Sequence, residues 1–146
     1  PGQRDSIAAW RREAGLENLS APLAIDVGNA WPVPQGTAQA VLTINLFHLI
    51  ADPFVEKFFE SAHMALGTGG KVIIYGPFQR GAGFASEGDR DFDASLRARD
   101  PAIGYKSVEA VGDIAEQTGF TPVARDNMPA NNLLLTFAKA QVQATA

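Results

Sequence analysis

The 146-residue chain has no cysteine, which removes disulfides, thiolate nucleophiles and zinc-thiolate sites together and fits a reducing, cytoplasmic setting. Histidine is nearly as scarce: His48 and His63 stand apart from paired carboxylates, so no metal-ligand set forms and no metal is expected. There is no cluster of lysine or arginine, and the net charge is −4, which argues against nucleic acid as the main partner. No apolar run approaches the roughly 20 residues that span a bilayer, and the opening residues carry no signal-peptide pattern, so no membrane association is expected. Gly-x-Ser-x-Gly is missing, which leaves a serine hydrolase of that type unsupported. One absence matters most. No strand followed by a glycine-rich turn and a helix opens the chain, although what comes later reads as an α/β domain of the kind that holds a nucleotide cofactor on such a unit.

What is present is sufficient for one domain, since 46% of the residues are hydrophobic. With Pro1 to Gln3 set aside, Asp5 or Ser6 caps a helix through Ala14, and Gly15 supplies its left-handed end. Pro22-Leu-Ala-Ile-Asp-Val27 reads as a buried parallel strand, and Ala40 to Phe47 as a second strand interrupted by Asn45. Asp52 is expected to cap a helix with Pro53 in its first turn and a buried apolar stripe of Phe54, Val55, Phe58, Phe59 and Ala62. Gly67-Thr-Gly-Gly70 follows a helix and precedes a strand, the reverse of a phosphate cradle, so it is read as a turn. Lys71 to Tyr75 is the next strand. A long loop follows over 78–91, then a short helix capped by Asp91 and a longer one capped by Ser107. Phe120 to Arg125 and Leu133 to Ala138 are strands joined by a turn short enough for antiparallel pairing, and the tail after Lys139 is expected to fray.

This order predicts a three-layer α/β sandwich, Rossmann-like, with a mostly parallel sheet that ends in an antiparallel strand. A terminal antiparallel hairpin is typical of class I S-adenosylmethionine-dependent methyltransferases. Four stretches, Asn45-Leu-Phe-His48, Tyr75-Gly-Pro-Phe78, the run from Asp91 to Pro101, and Met128-Pro-Ala-Asn-Asn132, resemble the signatures of the uncharacterised methyltransferase-like protein 26 family. The resemblance runs from about Ser6 to Phe137 in a single domain over 1–146. It implies S-adenosylmethionine as cofactor. It also implies that a first strand, glycine-rich turn, first helix and second strand would precede Ser6, and without them cofactor binding should be weak or absent.

Ligands of open α/β sheets sit beyond the carboxyl ends of the strands, which is where the candidate residues fall. Asp26 and Val27 end a strand near the expected adenine position, or else simply cap a loop. Asn45 and His48 flank the expected methyl position: the amide can orient a nucleophile and a neutral imidazole can take its proton, or both are merely hydrogen-bonded packing. His63 reads as a solvated helix residue. Tyr75 and Phe78 line an apolar pocket or belong to the core. Arg80, Arg97 and Arg99 clamp an acidic substrate group or pair with Asp91, Asp93 and Asp100. Asn131 and Asn132 suit a turn, with substrate contact implied by the family run.

Two readings follow: a non-catalytic or repurposed methyltransferase-like domain, favoured for this chain, and an S-adenosylmethionine-dependent methyltransferase of an unknown small molecule. Strands without neighbours leave edges that a soluble protein must cover. The edges are therefore expected either to pair within the chain or to join two copies as a homodimer, the dimer being preferred.

Overall fold

A computed structural model describes residues 2–81 and 83–140. The sheet is built from β1 (Ala38–Ile44), β2 (Leu66–Gly76), β5 (Phe120–Asn127) and β6 (Leu133–Lys139), in the order β1-β2-β6-β5. β1 and β2 are parallel, while β6 runs antiparallel to both β2 and β5. Three strands thus share one direction and β6 is inserted against them, as the terminal hairpin predicts. A two-residue strand β3 (Phe78–Gln79) pairs in parallel with β4 (Lys106–Ser107) beside this sheet. The frayed tail expected after Lys139 lies almost wholly outside the described residues.

Helix α2 (Asp52–Ala65) buries Val55, Phe58, Phe59, Ala62 and Ala65 on one side of the sheet, whereas Phe54 of the expected stripe points away from it and is 44% exposed. Helix α4 (Val108–Gln117) lies beside it, buries Val111 and Ala115, and starts at Ser107, whose hydroxyl accepts a hydrogen bond from the Ala110 amide. Between helices and sheet the aromatic rings make the densest packing. Phe59 meets Phe58, Phe120 and Phe137 at centroid distances of 5.5, 5.5 and 5.6 Å. Such edge and tilted contacts add about 0.5–1.5 kcal/mol each beyond the area they bury.

Several expectations are corrected. The stretch 22–27 belongs to no strand, and Leu23 and Ile25 are exposed, because no described segment offers it a hydrogen-bonding neighbour. It does not pair with β1, so the edges do not close within the chain. β1 stops at Ile44, where Asn45 turns the backbone to φ 54°, and Phe47–Leu49 forms a short 3-10 turn. The glycine run 67–70 is part of β2: the register jumps from Ala38↔Leu66 to Ala40↔Lys71, so it forms a bulge rather than a separate turn. Ala51, not Asp52, is the residue before α2. Helix α3 (Glu87–Arg99) begins earlier than expected because Ser86 caps it by accepting from the Asp89 amide, which halves the long loop. Gly2 and Gln3 open helix α1 (Gly2–Glu13), which buries none of its residues against the sheet.

Candidate functional site

β1 and β2 end side by side, and their last residues start the site. The Asn45 amide donates to the Tyr75 carbonyl at 2.8 Å, which holds Asn45 in its left-handed conformation at the sheet's carboxyl edge. A non-glycine residue held at positive φ is sparsely populated unless the surroundings impose it, and such residues cluster at ligand sites. The Tyr75 hydroxyl accepts from Asn132 Nδ2 at 3.1 Å, joining this edge to the turn between β5 and β6.

That turn is clasped to the loop after β2. Arg80 donates through Nη1 to Asn127 Oδ1 at 3.1 Å and through Nη2 to the Asn131 carbonyl at 2.9 Å. Asn131, at φ 60°, in turn donates Nδ2 to Asp89 Oδ2 at 3.0 Å. Tyr75, Arg80, Asn131 and Asn132 therefore meet as one polar rim, three loops tied by side-chain amides and a guanidinium. Within this rim Arg80 and Asn132 hold backbone carbonyls, of Asn131 and Pro129, while the Asn131 amide holds the Asp89 side chain. Phe78 does not join it. It is 2% exposed and packs at 6.3 Å from Phe47 in the core.

His48 follows β1 in the 3-10 turn and is 6% exposed, its ring 6.0 Å from that of Phe92 and 6.3 Å from that of Tyr105. Its Nδ1 is buried without a hydrogen-bond partner. Burial, and secondarily the nearby Lys106 ammonium, lower its pKa, so the ring is neutral at pH 7 and keeps a lone pair available as a base. A buried imidazole nitrogen short of a partner is the kind of group that a ligand hydroxyl or amine satisfies.

Asp26 and Val27 lie apart from the rim, in an open cleft of about 430 Å³ shared with Leu49, Ile50, Phe54 and Ile103. Asp26 Oδ1 accepts from the Gly28 amide and Oδ2 from Asn29 Nδ2, both at 2.9 Å. The loop-capping role is thus visible, and each carboxylate oxygen keeps a further lone pair facing solvent.

Sequence reasoning missed Tyr105. Its amide donates to Asp93 Oδ1 at 2.6 Å and its hydroxyl to Asp89 Oδ1 at 3.2 Å; burial, with those carboxylates, pushes the phenol well above its ordinary range. Asp93 also accepts from Arg97 Nε at 2.8 Å, the ion pair foreseen for that arginine. The available signal was Gly104, which sits at φ 136° and where a Cβ would lie 2.6 Å from Asp93 Oδ1. His63 was misread as solvated. It is half-buried, edge-on to Phe120 at 5.7 Å, and burial followed by Lys139 lowers its pKa. Among the described residues no group of three or more histidines, aspartates or glutamates is placed to hold a metal. No described helix is long and apolar enough to cross a membrane.

The strand order, the antiparallel insertion of β6 and a cleft at the carboxyl ends define the α/β, Rossmann-like fold of methyltransferases. An O-methyltransferase family protein from Burkholderia thailandensis matches 98% of the chain at 12% identity with a TM-score of 0.81, and the chain covers 42% of it. The S-adenosylmethionine-dependent methyltransferase SibL, in its apo form, matches 97% of the chain at 17% identity with a TM-score of 0.75, again over 42% of its own length. The chain itself belongs to a family of proteins of unknown function, DUF938, whose profile matches residues 1–139. It is also similar to phosphoethanolamine N-methyltransferase 2 of Caenorhabditis elegans, 36% identical over 76 residues. That match takes in 52% of this chain and 16% of the relative, so the chain spans a small part of the curated relative's length.

Proposed function

We propose that this chain is a methyltransferase-like domain with little or no catalysis of its own, that it forms a homodimer, and that it carries the methyl-acceptor side of the cleft around Asn45 and His48. It is read as a single domain, of the type the methyltransferase-like protein 26 family represents. The observation that carries this reading is the contrast between two parts of the carboxyl edge. Around Asn45, Tyr75, Arg80, Asn131 and Asn132 the loops are tied to one another by hydrogen bonds. Around Asp26 and Val27 no described strand lies alongside; Asp26 is exposed and Val27 only half-buried against the core.

The residues present suit one end of S-adenosylmethionine. Ile25, Val27, Ile50 and Phe54 offer apolar walls to a flat purine, with Asp26 as an acceptor for its exocyclic amine. No described glycine-rich strand-to-helix turn suits the methionine end. Bound there, the cofactor would supply an electrophilic sulfonium methyl. His48, neutral and with a free nitrogen, is the group to take the acceptor's proton, and Asn45 is placed to orient the acceptor by a hydrogen bond. Methyl transfer to a small molecule by the same residues is the second reading. The neutral imidazole favours it.

Calorimetric titration of the full chain with S-adenosylmethionine and S-adenosylhomocysteine separates the two. No detectable heat at high ligand concentration is expected; micromolar binding would overturn the non-catalytic reading. The dimer is supported by the outer edge of β1, where Leu42 and Ile44 are 58% and 63% exposed. Light scattering after size exclusion should give the mass of two chains at micromolar concentration.

A further inference from the structure

Lys106 sits in β4 at the start of α4 and is only 7% exposed, yet its ammonium meets a single acceptor, Asp52 Oδ1 at 2.9 Å. An ammonium has three donors, so two remain without an acceptor from the described residues and face the space beside it. The partner is unequal: the Asp52 side chain is 83% exposed and loses little by swinging into solvent. Asp52 would otherwise be the obvious cap of α2, but it is the first helical residue and its carboxylate is turned to Lys106.

Beside this pair lies a cavity of about 260 Å³, walled by Val55, Val111 and Ile114 and lined by Lys106, Arg97, Tyr105 and Ser107. It opens between the first turns of α2 and α4, on the same carboxyl edge of the sheet as the site above. The helix ends alone would not define a ligand site. A buried cation short of acceptors, held by a carboxylate that can leave, with empty space next to it, does.

We propose that this cavity is an oxyanion site that takes the carboxylate or phosphate end of a small molecule on Lys106, with Asp52 as the built-in carboxylate that a ligand displaces. Arg97 stays on Asp93 and shapes the wall, while Ser107 Oγ remains within the lining. The Lys106 charge also reaches His48, whose neutral form it favours, so an anion bound here communicates with the imidazole. That the anion is the acidic end of a methyl acceptor rests on the methyl-transfer reading; anion binding itself does not.

The test is an amide NMR titration of the full chain, without S-adenosylmethionine, in two arms: inorganic phosphate and acetate, both at constant ionic strength. Saturable shifts of the Asp52–Val55 and Lys106–Ala110 amides in at least one arm are expected, and the arm that saturates names the oxyanion. Asp52→Asn removes the competing carboxylate and should tighten binding roughly tenfold. Lys106→Met, checked for a native-like spectrum, should abolish it. Shifts that never saturate, saturation unchanged in Lys106→Met, or unchanged or weaker binding in Asp52→Asn would each overturn the proposal. Failure of the calorimetric titration with S-adenosylmethionine would leave it standing.

Discussion

On the side of the sheet toward α2 and α4, Val72 and Ile74 of β2 and Leu135 and Phe137 of β6 are almost completely buried; on the opposite side, Leu42 and Ile44 of the edge strand β1 stand in solvent. The register runs Leu42–Ile73–Thr136 and Ile44–Tyr75–Leu134 across this second face, which is half-buried along β2 and β6 and open at β1. Strand pairing is equally good for both faces. What differs is the covering layer: α2 brings Phe58 and Phe59 to the buried side, whereas no described helix buries Leu42 or Ile44. Burial is therefore a property of the partner layer and not of the strand pattern. Exposed apolar side chains side by side mark a place for another surface, and here Leu42 and Ile44 lie on the edge strand for which a second copy is proposed.

Substitutions on the two faces should separate this contrast. The largest effect is expected for Phe59→Ala, which opens a cavity among Phe47, Phe58, Phe120 and Phe137 and should cost about 3–5 kcal/mol in denaturant unfolding. Next comes Gly104→Ala, which forces a Cβ against Asp93 and Arg97 at φ 136° and should cost about 2–3 kcal/mol while loosening Tyr105. Ile44→Ser on the open face should change stability by less than about 0.5 kcal/mol but shift the light-scattering mass toward one chain. Equal losses for Phe59→Ala and Ile44→Ser would mean that the open face is covered in solution by a layer of the domain itself.

A smaller effect tests the buried histidine. Because the folded-state pKa of His48 is lowered, the unfolded chain takes up a proton first as pH falls. Stability is then intact above about pH 6.5 and declines as pH drops below it toward the folded value. His63 acts with the same sign. His48→Gln should flatten part of that decline in urea midpoints measured between neutral pH and mildly acidic pH, and an unchanged slope would place the imidazole in water.

Helices were legible from an apolar stripe, joined by the expected Ser107 cap in α4 and by Pro53 in the first turn of α2, and the final hairpin was legible because its turn is short and its strands are continuous. The stretch 22–27 was misread because its apolar composition satisfies the pattern of a buried strand, while strand formation depends on a neighbour that composition does not specify. Asn45 was noticeable as a polar interruption, and its left-handed backbone explains the interruption. His48 was identified from its position after a strand. Tyr105 and Lys106 were not, because their roles depend on Asp93 and Asp52, which lie 12 and 54 residues away and meet them only in the fold. Arg80 was a candidate as an isolated guanidinium and Asn131 and Asn132 through the family resemblance, and their observed bonds are to one another's loops.

The central claim is that the acceptor side of the cleft is built and braced while the Asp26 side is not. Native-state hydrogen exchange on the full chain reads this directly. Amides of Val72–Gly76 and Leu133–Phe137 should exchange slowly, near the limit set by global unfolding, while those of Leu23–Val27 exchange almost as fast as an unstructured chain. Protection of Leu23–Val27 comparable to that of β2 would contradict the account, because it would require a hydrogen-bonding strand beside that segment.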